Sequence, residues 1–548
     1  DRERLSGFAP LVLLAVAMAA AAALLLHYGS GLTFFQDSWE FLMHRRHLSV
    51  DAVLDPHNEH IVLLPVLINQ ALLQTFGMSS MTPELVVLVA LLMGAAALVF
   101  VYVRRRLGSW PALFATALLL FLGPAWQDFL WPFQIGFAGS ALTGMAMLLA
   151  LEEEDRRWDL AACAFLALSI AFSSLGLPFA VAGAVQLLQQ RRQGGLRRAW
   201  IVGVPLLFYA GWYAGWGHTA ENHLTGHNVL HSPSYVWEGL SASLDAVLAL
   251  GTIANEVVGR SKWGAPLLIV LLVLVAYRGF RRRGFYPGLW PVLAATATFW
   301  FLAAFNTMPG REAYSSRYLY VGGLFAILLA ANLLQGIRLD RRILLAAGAL
   351  TTVVVGFNLV PLREGRDFFR DQTVLTRADL GALEIAERTV EPSFVFTPEI
   401  DGTVFLNEIE AGNYLQAVRE HGSPAYNPAQ LASAPEEGRL HADLVLANAL
   451  PLGIEPESDL APPPGARCRR IPAGSSRPIP LHPGTATVQF AAGGPGAVRL
   501  RRFAVGEYPL VTEDLAAGTT TALYIPRDRS RRPWRLQVEA PGGATVCN

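Results

Sequence analysis

The sequence predicts a mostly α-helical polytopic membrane protein with a β-rich soluble domain after its last membrane span. Three observations predict this fold class. Of the 548 residues, 53% are hydrophobic and only 16% are charged, with a mean hydropathy of +0.37, whereas soluble proteins usually carry about 25% charge. Apolar runs recur through residues 1–361. After Pro361 these runs stop, and Pro, Gly and charged residues become frequent.

The apolar runs predict about eleven transmembrane helices, since a helix needs about 20 mostly apolar residues to cross the hydrocarbon core. Some runs are shorter, and we expect these to tilt or to be partly re-entrant. The first run lacks a convincing cleavage site, which indicates an uncleaved anchor. The runs cover residues 8–27, 84–103, 109–123, 134–151, 158–172, 177–190, 199–216, 263–279, 286–305, 318–336 and 343–361.

Arginine placement predicts the orientation, because cytoplasmic loops are enriched in Lys and Arg. Arginine clusters such as 104–106, 191–198 and 281–283 lie in alternate loops, which puts them on the cytoplasmic side together with the N-terminus. We therefore expect an integral protein of the cytoplasmic membrane with an extracytoplasmic C-terminal domain. The outward loops are residues 28–83, 124–133, 173–176, 217–262 and 306–317.

Residues 362–548 form the predicted soluble domain, with a helix near 376–389. From about residue 485, apolar and polar residues alternate between Gly and Pro turns, which predicts a β-sandwich. Cys468 and Cys547 both lie in this domain, where an oxidising compartment permits a disulfide between them. Short β-like runs are expected at Ser393–Thr397 and Thr403–Leu406.

Charge and cysteine content exclude several classes of protein. Forty-three basic residues balance forty-three acidic ones, and this argues against a nucleic-acid partner, which usually requires a strongly basic surface. Three cysteines are too few for a cysteine-rich zinc module or a disulfide-dense scaffold.

Acidic residues open the first outward loop, in the run Asp37-Ser38-Trp39-Glu40. Asp37 and Glu40 are three residues apart, so on a helix they share a face. One carboxylate could act as a general base on an acceptor hydroxyl while the other binds the acceptor. The simpler interpretation is that both are solvated loop acids.

A second polar run in this loop reads Asp55-Pro56-His57-Asn58-Glu59-His60. His57 and His60, with carboxylates nearby, could bind a divalent cation. The run falls short of the His-Glu-x-x-His pattern, and a hydrogen-bonded loop preceding a helix is the alternative. The apolar stretch that follows, residues 61–78, predicts an amphipathic helix lying in the membrane interface.

Arginines in an outward loop break the charge bias and suggest phosphate binding. A guanidinium group suits phosphate because it donates two parallel hydrogen bonds. Arg311 and Arg317 precede the tenth span, and Lys262 ends another outward loop. The alternative is an interfacial arginine within an aromatic belt that includes Tyr318 and Tyr320.

An aromatic outward loop carries one acid, Asp128. Its rings, Trp126, Trp131 and Phe133, could stack on a sugar or lie in the interfacial belt.

Together these features resemble the GT-C superfamily of polytopic membrane glycosyltransferases. The shared features are the odd number of spans, the acidic first outward loop, the interfacial helix after it and the soluble domain after the last span. The runs Asp55–Pro65 and Ser316–Tyr320 resemble segments of actinobacterial-type members.

The resemblance implies transfer of a sugar from a polyprenyl-phosphate donor to an envelope glycan or glycolipid acceptor on the outer face of the membrane, with inversion. It implies a base at Asp37, although many members carry adjacent acids and Glu40 stays an alternative. Arg317 or Arg311 would hold the phosphate. No cofactor is certain, but some relatives need a metal, for which His57 and His60 are the candidates. The residues expected to bind acceptor or sugar are Trp39, His57, Glu59, His60, Asp128, Tyr318 and Tyr320.

Other classes of function fit parts of the pattern. An O-antigen ligase or polymerase type would use a diphosphate-linked glycan and outward His and Arg residues. A lipid flippase or transporter would bury ionisable residues midway through the spans, whereas the charges here gather at the outer rim. An envelope scaffold is the third alternative.

Overall fold

Helices make up most of the chain, and strands lie within residues 453–547. The computed structural model describes the chain apart from residues 1, 154, 192–194, 256–261, 283, 338, 398–405, 407–408 and 476–477, and apart from the side chains of 2–7 and 282. The chain divides into two compact units. Unit 1 comprises Asp1–Gly31, Arg45–Leu72 and Met81–Phe368. Unit 2 comprises Leu32–His44, Leu73–Ser80 and Phe369–Asn548.

Each apolar run predicted from the sequence coincides with a helix, namely α1, α5, α6, α8, α9, α10, α11, α14, α15, α16 or α17. The α-helices of the described residues are, in chain order, α1 (Arg2–Gly29), α2 (Ser38–His44), α3 (Val50–Leu54), α4 (Leu63–Phe76), α5 (Thr82–Leu107), α6 (Ser109–Leu120), α7 (Trp126–Leu130), α8 (Ile135–Leu151), α9 (Arg156–Phe172), α10 (Gly176–Gln189), α11 (Trp200–Gly215), α12 (Gly226–Val247), α13 (Leu250–Ile253), α14 (Gly264–Arg282), α15 (Leu289–Phe305), α16 (Ser316–Leu334), α17 (Arg341–Ala386), α18 (Ala411–His421), α19 (Pro428–Ser433) and α20 (Glu436–Ala449).

Six helices of the described chain are long and apolar enough to cross a membrane. These helices are α1, α5, α8, α14, α16 and α17. A seventh results if α6 and the bent segment containing α7 form one broken span, with a bend of 44°. The helices α4, α10 and α15 are apolar but shorter. The helical part is therefore of a membrane-associated type, and the count of eleven spans stays a prediction.

Loops of unit 1 contact one another in two separate groups. In one group Arg106 donates to Glu152 and Asn332, and Arg198 donates to the Glu153 carbonyl. We call this group, residues 102–108, 150–153, 155–157, 186–191, 195–198 and 285–292 with 332–335, the arginine-rich end. The other group, residues 55–62, 123–137, 217–235 and 305–320, is called the mixed-charge end.

Segment 32–44 of the first outward loop packs within unit 2, where α2 contacts α18. The backbone N–H of Thr33 donates to Thr373 Oγ1 at 3.1 Å, and Asn413 Nδ2 donates to the Met43 carbonyl at 3.1 Å. The helix expected near 376–389 is the C-terminal part of α17, which continues through Pro361.

Unit 2 also contains a sandwich of two antiparallel sheets, with strand orders β1-β7-β4-β9-β2 and β3-β8-β5-β6. It begins at Gly453, earlier than the predicted residue 485. Cys468 and Cys547 lie opposite each other in β2 and β9 and form a disulfide. Val395 forms a single bridge with Glu410 where a strand was expected, and most of the run at 403–406 lies outside the described residues. The strands are β1 (Gly453–Glu455), β2 (Cys468–Ile471), β3 (Ile479–Leu481), β4 (Gly484–Phe490), β5 (Gly496–Arg501), β6 (Leu510–Leu515), β7 (Thr520–Ile525), β8 (Trp534–Glu539) and β9 (Ala544–Cys547).

Candidate functional site

A tight turn holds the polar run of the first loop at the mixed-charge end. His57 and His60 exchange two backbone hydrogen bonds of 3.0 and 2.9 Å. Between them Asn58 has a φ of +50°, which asparagine tolerates better than most residues because its short side chain bonds locally. The guanidinium of Arg45 donates to the carbonyls of Asp55 and Pro56, both at 2.8 Å. These backbone hydrogen bonds and the contacts of Arg45 hold the turn in place without the side chains of Glu59 and His60.

The turn brings Glu59 to Arg311, the central ion pair of the site. Arg311 Nη1 donates to both carboxylate oxygens of Glu59, at 3.0 and 2.9 Å. The side chains are only 11% and 20% exposed. Burial alone would raise the pKa of Glu59, but the charge that His60 carries when protonated, and the charge and hydrogen bonds of Arg311, hold that pKa below its usual value. Glu59 is therefore ionised at neutral pH.

His60 lies beside this pair, with Nε2 at 3.5 Å from Glu59 Oε1. Burial lowers the pKa of His60 despite the adjacent carboxylate. The imidazole is therefore neutral at pH 7, and its contact with Glu59 is a polar contact between a neutral ring and a carboxylate.

Two residues of α12 position the Arg311 loop. The hydroxyl of Tyr235 donates to the Arg311 carbonyl at 2.9 Å. Asn228 Nδ2 donates to the carbonyls of Phe305 and Thr307, at 3.3 and 3.0 Å. Sequence analysis missed both residues. In the sequence, only their polarity within a predicted outward loop indicated a role, and most of that loop is the helix α12.

The aromatic loop is bound to the start of α16. Ser316 Oγ donates to the Pro124 carbonyl at 2.7 Å and accepts from the backbone N–H of Gln127 at 3.0 Å. These bonds place Asp128, which is buried, near the guanidinium of Arg317 and the backbone N–H of Tyr320. Asp128 and Arg317 therefore belong to the same part of unit 1.

Aromatic rings cover the histidines of the turn. His57 contacts Phe133 edge to face, with ring centroids 5.0 Å apart, and His60 contacts Phe137 in the same way at 5.7 Å. Trp131 stacks on Phe133 at 5.2 Å. Rings of the predicted aromatic loop therefore pack against the turn at the mixed-charge end.

Arg317 joins the same ionic network. One of its terminal nitrogens donates to the Gly310 carbonyl, and the guanidinium lies 5.9 Å from the centroid of the Tyr318 ring. It interacts electrostatically with His60 and with Asp128. The structure therefore brings together Glu59, His60, Arg311, Arg317 and Asp128.

Other predicted residues lie elsewhere or are buried. Asp37 and Glu40 belong to unit 2 and are both half-buried. Asp37 immediately precedes α2, and Glu40 lies in its first turn. Trp39 is 1% exposed and packs on Phe34 and Tyr414, so its ring is covered by the protein and its contact with a sugar stays a prediction. Tyr318 and Tyr320 are likewise buried, and Tyr320 packs on Phe129. Lys262 is exposed just before α14.

Within the described part of the chain, no three His, Cys, Asp or Glu side chains are grouped so that they could hold a metal ion. A cation bound by His57 and His60 therefore stays a prediction.

No known protein family, curated protein or solved structure matches this chain. Its function has to follow from the chemistry of its own residues. At the mixed-charge end these supply two guanidinium groups, an ionised carboxylate, a neutral imidazole and a buried carboxyl group beside aromatic rings.

Proposed function

We propose that this protein is an integral membrane glycosyltransferase that moves a sugar from a polyprenyl-phosphate donor to an envelope glycan or glycolipid. The observation that carries the proposal is the pair of guanidinium groups, Arg311 and Arg317, in one ionic network at the ends of apolar helices. A lipid phosphate needs both an apolar path for its chain and a fixed cation for its charge.

Arg317 is the proposed phosphate ligand. Arg311 shares its charge with Glu59, to which one nitrogen donates twice, so its role is to hold the loop and set the local potential. Arg317 uses one terminal nitrogen on a backbone carbonyl, and a guanidinium carries five N–H donors in all. Its remaining donors suit the phosphate oxygens on which charge builds as the sugar leaves.

In the proposed reaction a carboxylate takes the proton of the acceptor hydroxyl. The hydroxyl oxygen attacks the anomeric carbon while the bond from that carbon to the phosphate oxygen breaks, and polyprenyl phosphate leaves with the electron pair. Asp37 is the base that the superfamily resemblance implies, with Glu40 or Asp128 as alternatives. Glu59 suits this role less, because Arg311 and His60 lower its pKa and so its basicity.

We further propose that eleven helices cross the cytoplasmic membrane, with the mixed-charge end and the C-terminal unit outside. The separate contact groups at the two ends support this orientation, since arginine clusters lie in the group that would be cytoplasmic. The disulfide in unit 2 supports an oxidising compartment for that unit.

A ligase-type reaction is the second candidate. That chemistry would transfer a whole glycan from a diphosphate-linked lipid with the help of His and Arg residues. The contact of His60 with Glu59, and the charge interactions of Arg311 and Arg317 with His60, favour it.

The test is sugar transfer in membranes that contain the full chain, with a panel of radiolabelled polyprenyl-phosphate hexoses and pentoses as donors. Wild type is compared with Asp37→Asn and Glu40→Gln, and with Asp459→Asn as a control in a loop of unit 2. We expect transfer by wild type and by the control, and its loss in Asp37→Asn.

Loss in Glu40→Gln alone would move the base to that residue. Transfer that survives both variants would favour Asp128 or the ligase-type reaction, which a diphosphate-linked oligosaccharide donor then distinguishes. Absence of transfer from every donor in wild type, at matched expression, would overturn the glycosyltransferase proposal.

A further inference from the structure

A cavity of about 720 Å³ opens at the arginine-rich end of unit 1, apart from the site described above. Residues from α5, α8, α10 and α15 and from the segment before α15 line it. Its volume falls within the range of about 300–1,000 Å³ that is usual for small-ligand sites. The cavity is therefore large enough for one or a few sugar rings.

The charged groups of the cavity compensate one another. Arg106 donates to Glu152 at 2.5 Å, and Arg105 donates to the other oxygen of Glu152 at 3.1 Å. Arg105 also pairs with Glu153 at 3.1 Å. Little positive charge is left for an anion, but a carboxylate with about four lone-pair positions still has acceptor capacity for a neutral donor.

Amide groups supply further hydrogen-bonding capacity on one face of α10. Gln186 and Gln189 of α10 line the cavity together with Gln190, the residue that follows the helix and accepts from Arg198, and a spacing of three or four residues puts side chains on the same side of a helix. Each amide carries both donors and an acceptor, which matches the hydroxyl groups of a sugar because each hydroxyl both donates and accepts.

Exposed aromatic rings also line the cavity. Trp290 and Tyr286 are 47% and 38% exposed although both line a concave site. Phe285 packs edge to face against Trp290, with centroids 6.2 Å apart, and supports that ring. Such rings offer a flat apolar surface to the C–H face of a pyranose, whose hydroxyls project from its edge.

We propose that this cavity binds a neutral sugar ring, either as a soluble glycoside or as the head group of a glycolipid. Glu152 and the glutamines of α10 would bind the hydroxyls, and Trp290 would stack on the ring. The proposal does not depend on the transfer reaction at the mixed-charge end, because no residue is shared between the two sites.

Gly288 keeps the base of the cavity in place. A Cβ at this position would lie 2.6 Å from Asn332 Oδ1 and 3.4 Å from Arg106 Nη2. Arg106 Nε donates to that same Asn332 oxygen at 3.1 Å. A side chain at residue 288 would displace this bond and with it the Arg106–Glu152 pair.

The experiment is saturation-transfer-difference NMR on the full chain in lipid nanodiscs, prepared without glycoside detergents. The probes are the methyl pyranosides of glucose, galactose and mannose. We expect saturable binding of at least one probe, weakened about tenfold or more in Trp290→Ala and in Gln189→Leu. Leucine has a high helix propensity, so Gln189→Leu keeps α10 folded. Trp158→Ala, which removes a similarly exposed ring from α9, is expected to bind like wild type.

Competition identifies the source of the sugar. The full chain is also placed in nanodiscs that contain the diacylglycerol glycoside of the bound sugar. If the natural ligand is a glycolipid, this lipid displaces the methyl glycoside. If the natural ligand is soluble, the binding of the methyl glycoside is unchanged. Both results support a sugar site. Absence of saturation transfer to every probe, or equal binding by wild type, Gln189→Leu and Trp290→Ala, would overturn the proposal.

Discussion

The ion pairs of the two units differ in how completely their charges are enclosed. In unit 2, Arg502 donates to both oxygens of Asp528, at 2.5 and 3.1 Å, with side chains 4% and 2% exposed. Arg502 also donates to the carbonyls of Arg532 and Ser530. In unit 1, Arg311 uses one nitrogen for both oxygens of Glu59, and both groups keep some contact with solvent.

This difference distinguishes an arginine that stabilises the fold from the arginines of the proposed phosphate site. Four of the five N–H donors of the Arg502 guanidinium bond within the protein, so Arg502 serves the fold. The mixed-charge end instead places His60, Arg317 and Asp128 around the Glu59–Arg311 pair. The proposed phosphate site therefore lies beside the more exposed of the two ion pairs.

The largest effect is expected from breaking the enclosed pair. Asp528→Ala leaves the Arg502 guanidinium buried without its carboxylate, which costs about 3–5 kcal/mol of unfolding free energy. Amide exchange of β5, β8 and the loop 526–533 measures the loss. The control is Glu513→Ala, since Glu513 forms an exposed pair with Arg499 and such pairs contribute about 0–1 kcal/mol. Equal amide protection in Asp528→Ala and Glu513→Ala would mean that the enclosed pair contributes no more stability than the exposed one.

Arg317→Gln is expected to lower sugar transfer about 100-fold, or about 2.7 kcal/mol of barrier, at unchanged stability. The physical reason is that glutamine cannot neutralise the leaving phosphate. Initial rates from the donor used by wild type measure the effect, with Arg157→Gln as control because Arg157 is exposed at the other end of unit 1. A parallel fall in thermal stability would instead assign Arg317 to the fold.

Glu59→Gln tests the more open pair. The neutral amide leaves Arg311 partly buried without a countercharge, and we expect a loss of about 2 kcal/mol, less than for Asp528 because solvent reaches both groups. Thermal unfolding in nanodiscs measures the loss. Glu153→Gln, at an exposed pair with Arg105, is the matched control. A loss as large as that of Asp528→Ala would mean that the Glu59–Arg311 pair is as enclosed as its counterpart in unit 2.

Asp443 in unit 2 and the Glu59–His60 contact in unit 1 should contribute to acid stability with opposite signs. Asp443 accepts backbone N–H bonds from Arg502, Phe503 and Ala504, but burial raises its pKa to about 6. The folded state then binds this proton more tightly than the unfolded chain, so the contribution of Asp443 to the stability of unit 2 rises by about 1 kcal/mol between pH 7 and pH 5.5.

In unit 1 the pKa values of Glu59 and His60 are lowered, so the unfolded chain binds their protons more tightly and acid removes the stability that these two groups contribute. Below about pH 6.5 the contribution of His60 is lost first. Burial raises the pKa of Asp128 in the same unit, which gives the opposite sign, so each contribution is measured as a difference between variants. Amide exchange at pH 7 and pH 5.5, corrected for intrinsic rates, is compared between wild type, Asp443→Asn and His60→Gln. The stability change of unit 2 on acidification is expected to become less favourable in Asp443→Asn, and that of unit 1 more favourable in His60→Gln; the same sign for the two differences would contradict the assignment.

The sequence was most informative where one kind of residue dominates. All eleven predicted apolar runs coincide with helices, because a long apolar stretch has few alternatives to a buried or membrane-facing helix. The alternation after residue 485 likewise predicted strands. The earlier strands, such as β1 and β2, were missed because they are short and largely exposed.

The site could be predicted only in part, since its pairings join distant residues. Glu59 and Arg311 are separated by 252 positions, and no local spacing relates them. The sequence named each as a candidate but gave the carboxylate no specific partner. Nor could it show that Asp37 and Trp39 pack within unit 2, because the short segment 32–44 has no periodic pattern that would relate it to a later helix such as α18.

The position of β9 has a consequence for how this protein is made. β9, residues 544–547, lies inside its sheet between β4 and β2, although it follows every other strand in the chain. During synthesis, β4 and β2 each expose an unpaired edge until those four residues have left the ribosome. The sheet therefore closes only after β9 has been made, and until then the newly made strands depend on protection from aggregation.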